Sequence, residues 1–246
     1  MRTAGGLDTG YFAAMSKDIA ENQASVWLEK FCQRAMLMQS YSVKNVARIL
    51  AQNPQATHVA GEQQYKEQGI FVLMGATPIR IYAPNMAKNG QRAAGFSAVD
   101  VYDISQTTAA AIPPKTVDVD TELRKACALC NRMGIQVFYA DMSASWKVLE
   151  GRKLFIKSGI PKEIVFQLIL QELGHIAFLQ EGVPEQMAFP LSVVASYCGS
   201  YGAGLKVPYL ASDHKRKMLC NGLRSNLEAA VKMAKRLLRG MGKIKF

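Results

Sequence analysis

The chain has 246 residues, 49% of them apolar and 20% charged, a balance that excludes disordered and collagen-like classes and fits an ordinary folded protein. No apolar run nears the roughly 18 residues that span a bilayer, and the start, MRTAGGLDTGYF, lacks the layout of a secretory signal. Five cysteines without framework spacing fit a reducing compartment, so a cytoplasmic protein without a membrane partner is expected.

The net charge of +11 is unevenly placed. Residues 1–110 carry ten Lys/Arg against eight Asp/Glu, and residues 111–214 carry ten against ten. Residues 215–246 carry ten against Glu228 alone, a concentration that suits an acidic partner such as nucleic acid.

In chain order, Tyr11 to Leu50 reads as helical, with Ile19, Val26, Phe31 and Leu37 recurring among polar residues and Asn53-Pro54 ending the run. Short β-type runs follow at 69–74, 79–83 and 99–104, punctuated by Gly75 and Pro78. Residues 111–120, holding Pro113-Pro114 and no apolar period, are the expected linker between domains at 1–110 and 121–246. Thr121 to Met133 then reads as a helix, and 135–140 and 153–157 as strands. Pro161 opens a helix that is apolar almost all round and should be buried, and a second apolar helix runs from Glu185 to Tyr201. The class expected from this order is α+β, with a helical and β N-terminal domain before a second α+β domain.

The last helix, Leu223 to Arg239, is amphipathic. Leu223, Leu227, Ala230, Val231, Ala234, Leu237 and Leu238 fall on one arc, while Arg224, Lys232, Lys235, Arg236 and Arg239 fall on the other. Lys243 and Lys245 extend the charge beyond it.

Within the buried helix stands Gln171-Glu-Leu-Gly-His175, where a zinc peptidase carries His-Glu-x-x-His. Two imidazoles at i and i+4 share one helix face and one metal, and the intervening Glu polarises the metal-bound water. Glu172 and His175 keep their places, but an amide at 171 is a poor partner for zinc.

The chain resembles the ArdC/LtrC-type antirestriction proteins of plasmids and conjugative elements. In the first half the resemblance rests on Tyr41-Ser42, Asn45, Gln52-Asn-Pro54, Ala56-Thr57, Val59-Ala-Gly61, Gly69, Gly75, Ile79-Arg-Ile81, Pro84 and Tyr102-Asp-Ile-Ser-Gln-Thr107. In the second half it rests on Glu172-Leu-Gly-His175, Ser192-Val193 through Cys198, and Val207-Pro-Tyr-Leu-Ala-Ser212. It implies an N-terminal domain that binds single-stranded DNA and a zincin-like C-terminal domain related to the ImmA/IrrE peptidases.

Two departures qualify what carries over. The family's first His is Gln171, and its acidic third ligand aligns with Leu191, so no zinc is expected and Glu172 and His175 are vestigial. No Lys or Arg lies between Lys66 and Arg80, where the family is usually basic. Tyr41, Lys44, Asn45, Arg48, Tyr65 and Arg80 remain as candidate DNA contacts beside Arg224, Lys232, Lys235, Arg236 and Arg239 of the last helix.

The expected function is therefore a non-catalytic DNA-binding or accessory protein of a mobile element, built on a pseudo-metallopeptidase. Two alternatives stand beside it: a metalloenzyme with an altered site made of Glu172, His175 and Glu185, and a protein-binding module. Cys127 and Cys130 are expected as buried helix residues, His58 and His214 as surface or capping residues, and Trp27 and Trp146 as core.

Overall fold

The computed structural model describes residues 6–22, 25–86, 92–109, 117–143, 145–208 and 213–242. Most of the expected linker, the Tyr209–Ser212 match, and Lys243 and Lys245 lie outside them, as does the side chain of His214. The chain divides into two compact units, Met1–Lys17 with Leu37–Pro114, and Asp18–Met36 with Lys115–Phe246. Helices and two small sheets make it α+β.

The expected helical stretch before Leu50 is three helices, α1 (Leu7–Glu21), α2 (Val26–Leu37) and α3 (Val43–Gln52). On α2 the buried stripe is Leu28, Phe31, Cys32, Ala35 and Met36. That i, i+3, i+4 spacing leaves Val26, Trp27 and Leu37 off the stripe and exposed. Trp27, at 39% exposure, is thus not a core residue, because it precedes Leu28 by about 100° around the helix.

In the first unit, β1 (Val59–Ala60), β2 (Ile79–Met86) and β3 (Arg92–Asp103) form an antiparallel sheet in the order β1-β3-β2, and the short α4 (Glu62–Lys66) follows β1. Ile79, Ile81 and Val101 supply the buried face. The run at 69–74 is not a full strand. Only Val72 bridges, to Thr107, and the chain then turns through Gly75, whose φ of +80° favours glycine. Phe71, Leu73 and Met74 of this segment are exposed.

The register of the sheet is held by side chains along the outer edge of β2 and at the end of the central strand β3. On α3, Asn45 donates from Nδ2 to the Tyr82 carbonyl at 2.8 Å and accepts from the Tyr82 N–H at 3.2 Å. Two turns later Gln52 does the same for Arg80, both bonds 2.9 Å. Residues 45 and 52 share a helix face and residues 80 and 82 share a strand edge, so two amides meet alternate residues of β2. At the far end of β3, Asp103 accepts from the backbone N–H groups of Thr57, His58 and Ser105 and from the Ser105 hydroxyl. Burial pushes this carboxyl up, but the bonds from Ser105, Thr57 and His58 outweigh it and hold Asp103 below the usual range.

The second unit carries α5 (Val119–Arg132), capped by Asp118, which accepts from the Asp120 and Thr121 N–H groups. Its sheet has the order β4-β6-β5, with β4 (Gln136–Ala140) parallel and β5 (Lys147–Glu150) antiparallel to β6 (Lys153–Lys157). Trp146, 48% exposed, lies at the start of edge strand β5 and is not core, since a neighbour covers that strand on one side only. Cys127 is half-buried and Cys130 buried, both on α5 as free thiols.

Helices α6 (Lys162–Gln180) and α7 (Glu185–Ala203) form the core of this unit. Phe166, Ile169, Leu170 and Phe178 are fully buried, and truncating Leu170 to Ala should cost about 2–5 kcal/mol. Residues Ser192, Ser196, Gly199 and Ser200 keep α7 narrow. A Cβ on residue 199 would come within 2.8 Å of Leu170 Cδ1, so a larger residue there requires the Leu170 side chain to shift. The serine hydroxyls bond back to carbonyls of α7 itself, so each has a partner within the helix. Helices α8 (Asp213–Cys220) and α9 (Leu223–Gly240) complete the unit, α9 burying the apolar arc read from its sequence together with Met233. No helix among the described residues is long and apolar enough to cross a membrane.

Candidate functional site

Helix α6 places Gln171 and Glu172 side by side and His175 about one turn further on, with Gln171 and Glu172 buried and His175 half-buried. Two further elements converge on them. From β5, the Lys147 ammonium is in direct contact with Glu172 Oε2, the lysine side chain 14% and the glutamate side chain 5% exposed. From the first turn of α7, Glu185 Oε1 lies 3.0 Å from His175 Nε2, while His175 Nδ1 lies 3.8 Å from Glu172 Oε1. One turn on, the Phe189 ring packs edge-on against His175 at 5.7 Å, and Lys147 Nζ stands 5.8 Å from its centroid.

The electrostatics follow from these contacts. Burial alone would raise Glu172, but the neighbouring His175 and the charge of Lys147 win and hold it below the ordinary carboxylate range. His175 is raised, first by the neighbouring Glu172 and then by the Glu185 charge, against the opposing effect of burial. The cluster is thus an ammonium and an imidazole, the imidazole charged only when protonated, facing two carboxylates.

The candidate nucleic-acid residues divide by environment. Tyr41 is half-buried and donates to the Val59 carbonyl at 2.9 Å. Tyr65 is buried and donates to the His58 carbonyl at 2.7 Å. Asn45 holds β2, and Arg48, also buried, pairs with Asp8 at 3.2 Å and lies 4.6 Å from the centre of the Tyr82 ring. Lys44 is half-buried, and Arg80 is exposed but paired with Asp100 at 3.0 Å. On α9, Lys232 and Arg239 face solvent and Lys235 is half-buried, its ammonium pushed down by burial and by Arg239. Arg224 and Arg236 are exposed but bridge to Glu228 and Glu181. Among the described residues, then, the cations facing solvent are gathered more on α9 than on the first-unit candidates.

Over 98% of its length the chain superposes on 99% of the metal-free crystal structure of the antirestriction protein ArdC from plasmid R388, with a TM-score of 0.55 at 13% identity. The chain has the ArdC fold. The Mn(II)-bound structure of the same plasmid protein gives a TM-score of 0.58 at 12% identity, over 97% of this chain and 99% of that one. No family profile and no curated protein matches the sequence.

One of these ArdC structures holds Mn(II). Position 171 offers an amide, Leu191 is a buried alkyl group, and Oε2 of Glu172 already faces an ammonium. No group of three or more His, Cys, Asp or Glu side chains among the described residues is arranged to hold a metal. Glu185 does reach His175, although in sequence it lies well before the position aligned with the third ligand. Lys147 gave no sequence signal at all. It stands 25 residues from Glu172 on a four-residue strand, and only strand pairing brings it there.

Proposed function

We propose that this chain is a non-catalytic, nucleic-acid-binding accessory protein of the antirestriction type, carried on a plasmid or conjugative element. The observation that carries the reading is the cationic face of α9, with Lys232 and Arg239 in solvent and Arg224, Lys235 and Arg236 beside them, on a chain sharing the ArdC fold end to end. Single-stranded DNA is the proposed ligand, held chiefly through phosphate neutralisation. The buried polar residues of the first unit then serve the fold rather than the ligand. The second unit acts as a scaffold that presents α9.

Binding of a fluorescent single-stranded oligonucleotide, followed by anisotropy across a salt series, tests this. Lys232→Glu with Arg239→Glu should weaken binding and flatten the salt dependence, by about 0.7 in log–log slope for each phosphate that is no longer neutralised. An unchanged affinity and slope in that variant would remove α9 from the interaction and the reading with it.

A second reading, a metallopeptidase with an altered site of Glu172, His175 and Glu185, draws on the 3.0 Å contact between His175 and Glu185. Metal-stimulated peptide cleavage that disappears in Glu172→Gln would favour it over the first.

A further inference from the structure

The second unit holds a carboxylate that is nearly sealed from water, and a buried carboxylate needs a positive partner or it takes up a proton. A divalent ion nearby could supply that charge. Here it comes from within the chain. Lys147 reaches Glu172 from β5, and its ammonium is flanked by the Phe189 ring, which also packs edge-on against His175. The lysine is itself well seated, since its side chain is 14% exposed.

We infer that the Lys147 ammonium stands in for the divalent ion, so that this site is closed to metal by charge as well as by loss of ligands. The inference rests on the reading of the second unit as non-catalytic and adds a cause to it. Gln171 and Leu191 remove donors, whereas Lys147 places a like charge beside the carboxylate that would polarise an ion's water. Repulsion between a divalent ion and an ammonium at such a separation is strong when both are shielded from solvent. Residue 171 and residue 147 therefore act independently, and reversing one alone leaves the site closed. The carboxylate of Glu185 and the imidazole of His175 are already within 3.0 Å of each other, so a reopened site has two donors in place.

Four proteins decide this: the wild type, Gln171→His, Lys147→Met, and the double variant Gln171→His/Lys147→Met. Each full-length chain is titrated with Zn²⁺ and with Mn²⁺ against a competing chromophoric chelator, and bound metal is counted by elemental analysis after gel filtration. Wild type and Gln171→His should retain little metal, and the double variant should gain about ten- to a hundredfold in affinity over Gln171→His, the scale on which groups around a site alter metal binding. Equal uptake by Gln171→His and the double variant would overturn the inference while leaving the non-catalytic reading intact, and so would a folded double variant that takes up no metal. Stoichiometric metal on the wild type would overturn both.

If the double variant does not fold, a metal-free arm decides. Lys147→Met should lower the melting temperature, and Lys147→Met/Glu172→Gln should recover much of that loss, because the second change removes the stranded charge. Failure to recover would mean that Lys147 is not the counter-charge of Glu172.

Discussion

Two polar clusters, one in each unit, use their side chains in opposite ways. In the first unit, Asn45, Gln52, Tyr65 and Asp103 all bond to backbone groups, so each side chain fixes where a strand or turn runs. In the second, Glu172, Lys147, His175 and Glu185 contact one another, and no strand depends on them for its register. Two equally motif-like stretches of sequence can thus have different physical content. One is a set of struts, and the other is a charge cluster whose members pair with one another.

Mutation can break or sharpen that contrast, beginning with the largest effect. Asp103→Ala strands three backbone N–H groups and the Ser105 hydroxyl and should cost about 3–4 kcal/mol in urea unfolding, with Asp103→Asn losing about half of that. A loss under about 1 kcal/mol would mean that water replaces the carboxylate and that the strut description is wrong. Asn45→Ala should cost about 2 kcal/mol and Gln52→Ala about 1, since Asn45 is buried and Gln52 exposed while both make paired bonds to β2.

The charge cluster should reveal itself through pH instead. A raised His175 stabilises the fold fully below its ordinary value of 6.5, and that contribution fades as pH climbs through the higher folded value. A lowered Glu172 contributes above its ordinary 4.5, and loses its contribution as pH falls through the lower folded value. Melting temperature should therefore decline on the alkaline side of 6.5, and His175→Gln should flatten that decline. An identical profile in the variant would detach His175 from the cluster. The smallest effect belongs to Arg80→Ala, which removes a surface ion pair with Asp100 and should leave the melting temperature unchanged.

Much of the fold was legible because its helices declare their faces. The arc on α9 emerged as read, and α6 is buried nearly all round as its composition required. The short elements were not. Strand β5 is four residues, two of them charged, and α8 is eight, the first five of them polar, so neither has a period long enough to register. On α2 the apolar residues at its two ends suggested a stripe, yet the buried positions lie between them.

The site was legible only in part. Glu172 and His175 stand out on their helix, but nothing in the run Lys147-Val-Leu-Glu150 says that its lysine will meet a carboxylate on α6. Tyr41, Tyr65 and Arg48 are residue types that suit nucleic acid, and composition does not tell which way a side chain points. Structure turns them toward a carbonyl, a second carbonyl and an aspartate.

The paired amides on α3 have a consequence for how copies of this chain behave beside one another. An exposed edge strand is a template on which another molecule can build, and β2 is the outer strand of its sheet. Asn45 and Gln52 occupy the hydrogen-bonding positions of Tyr82 and Arg80 that a foreign strand would need. A helix thus serves as a false neighbour, and the sheet is closed to recruitment on that side.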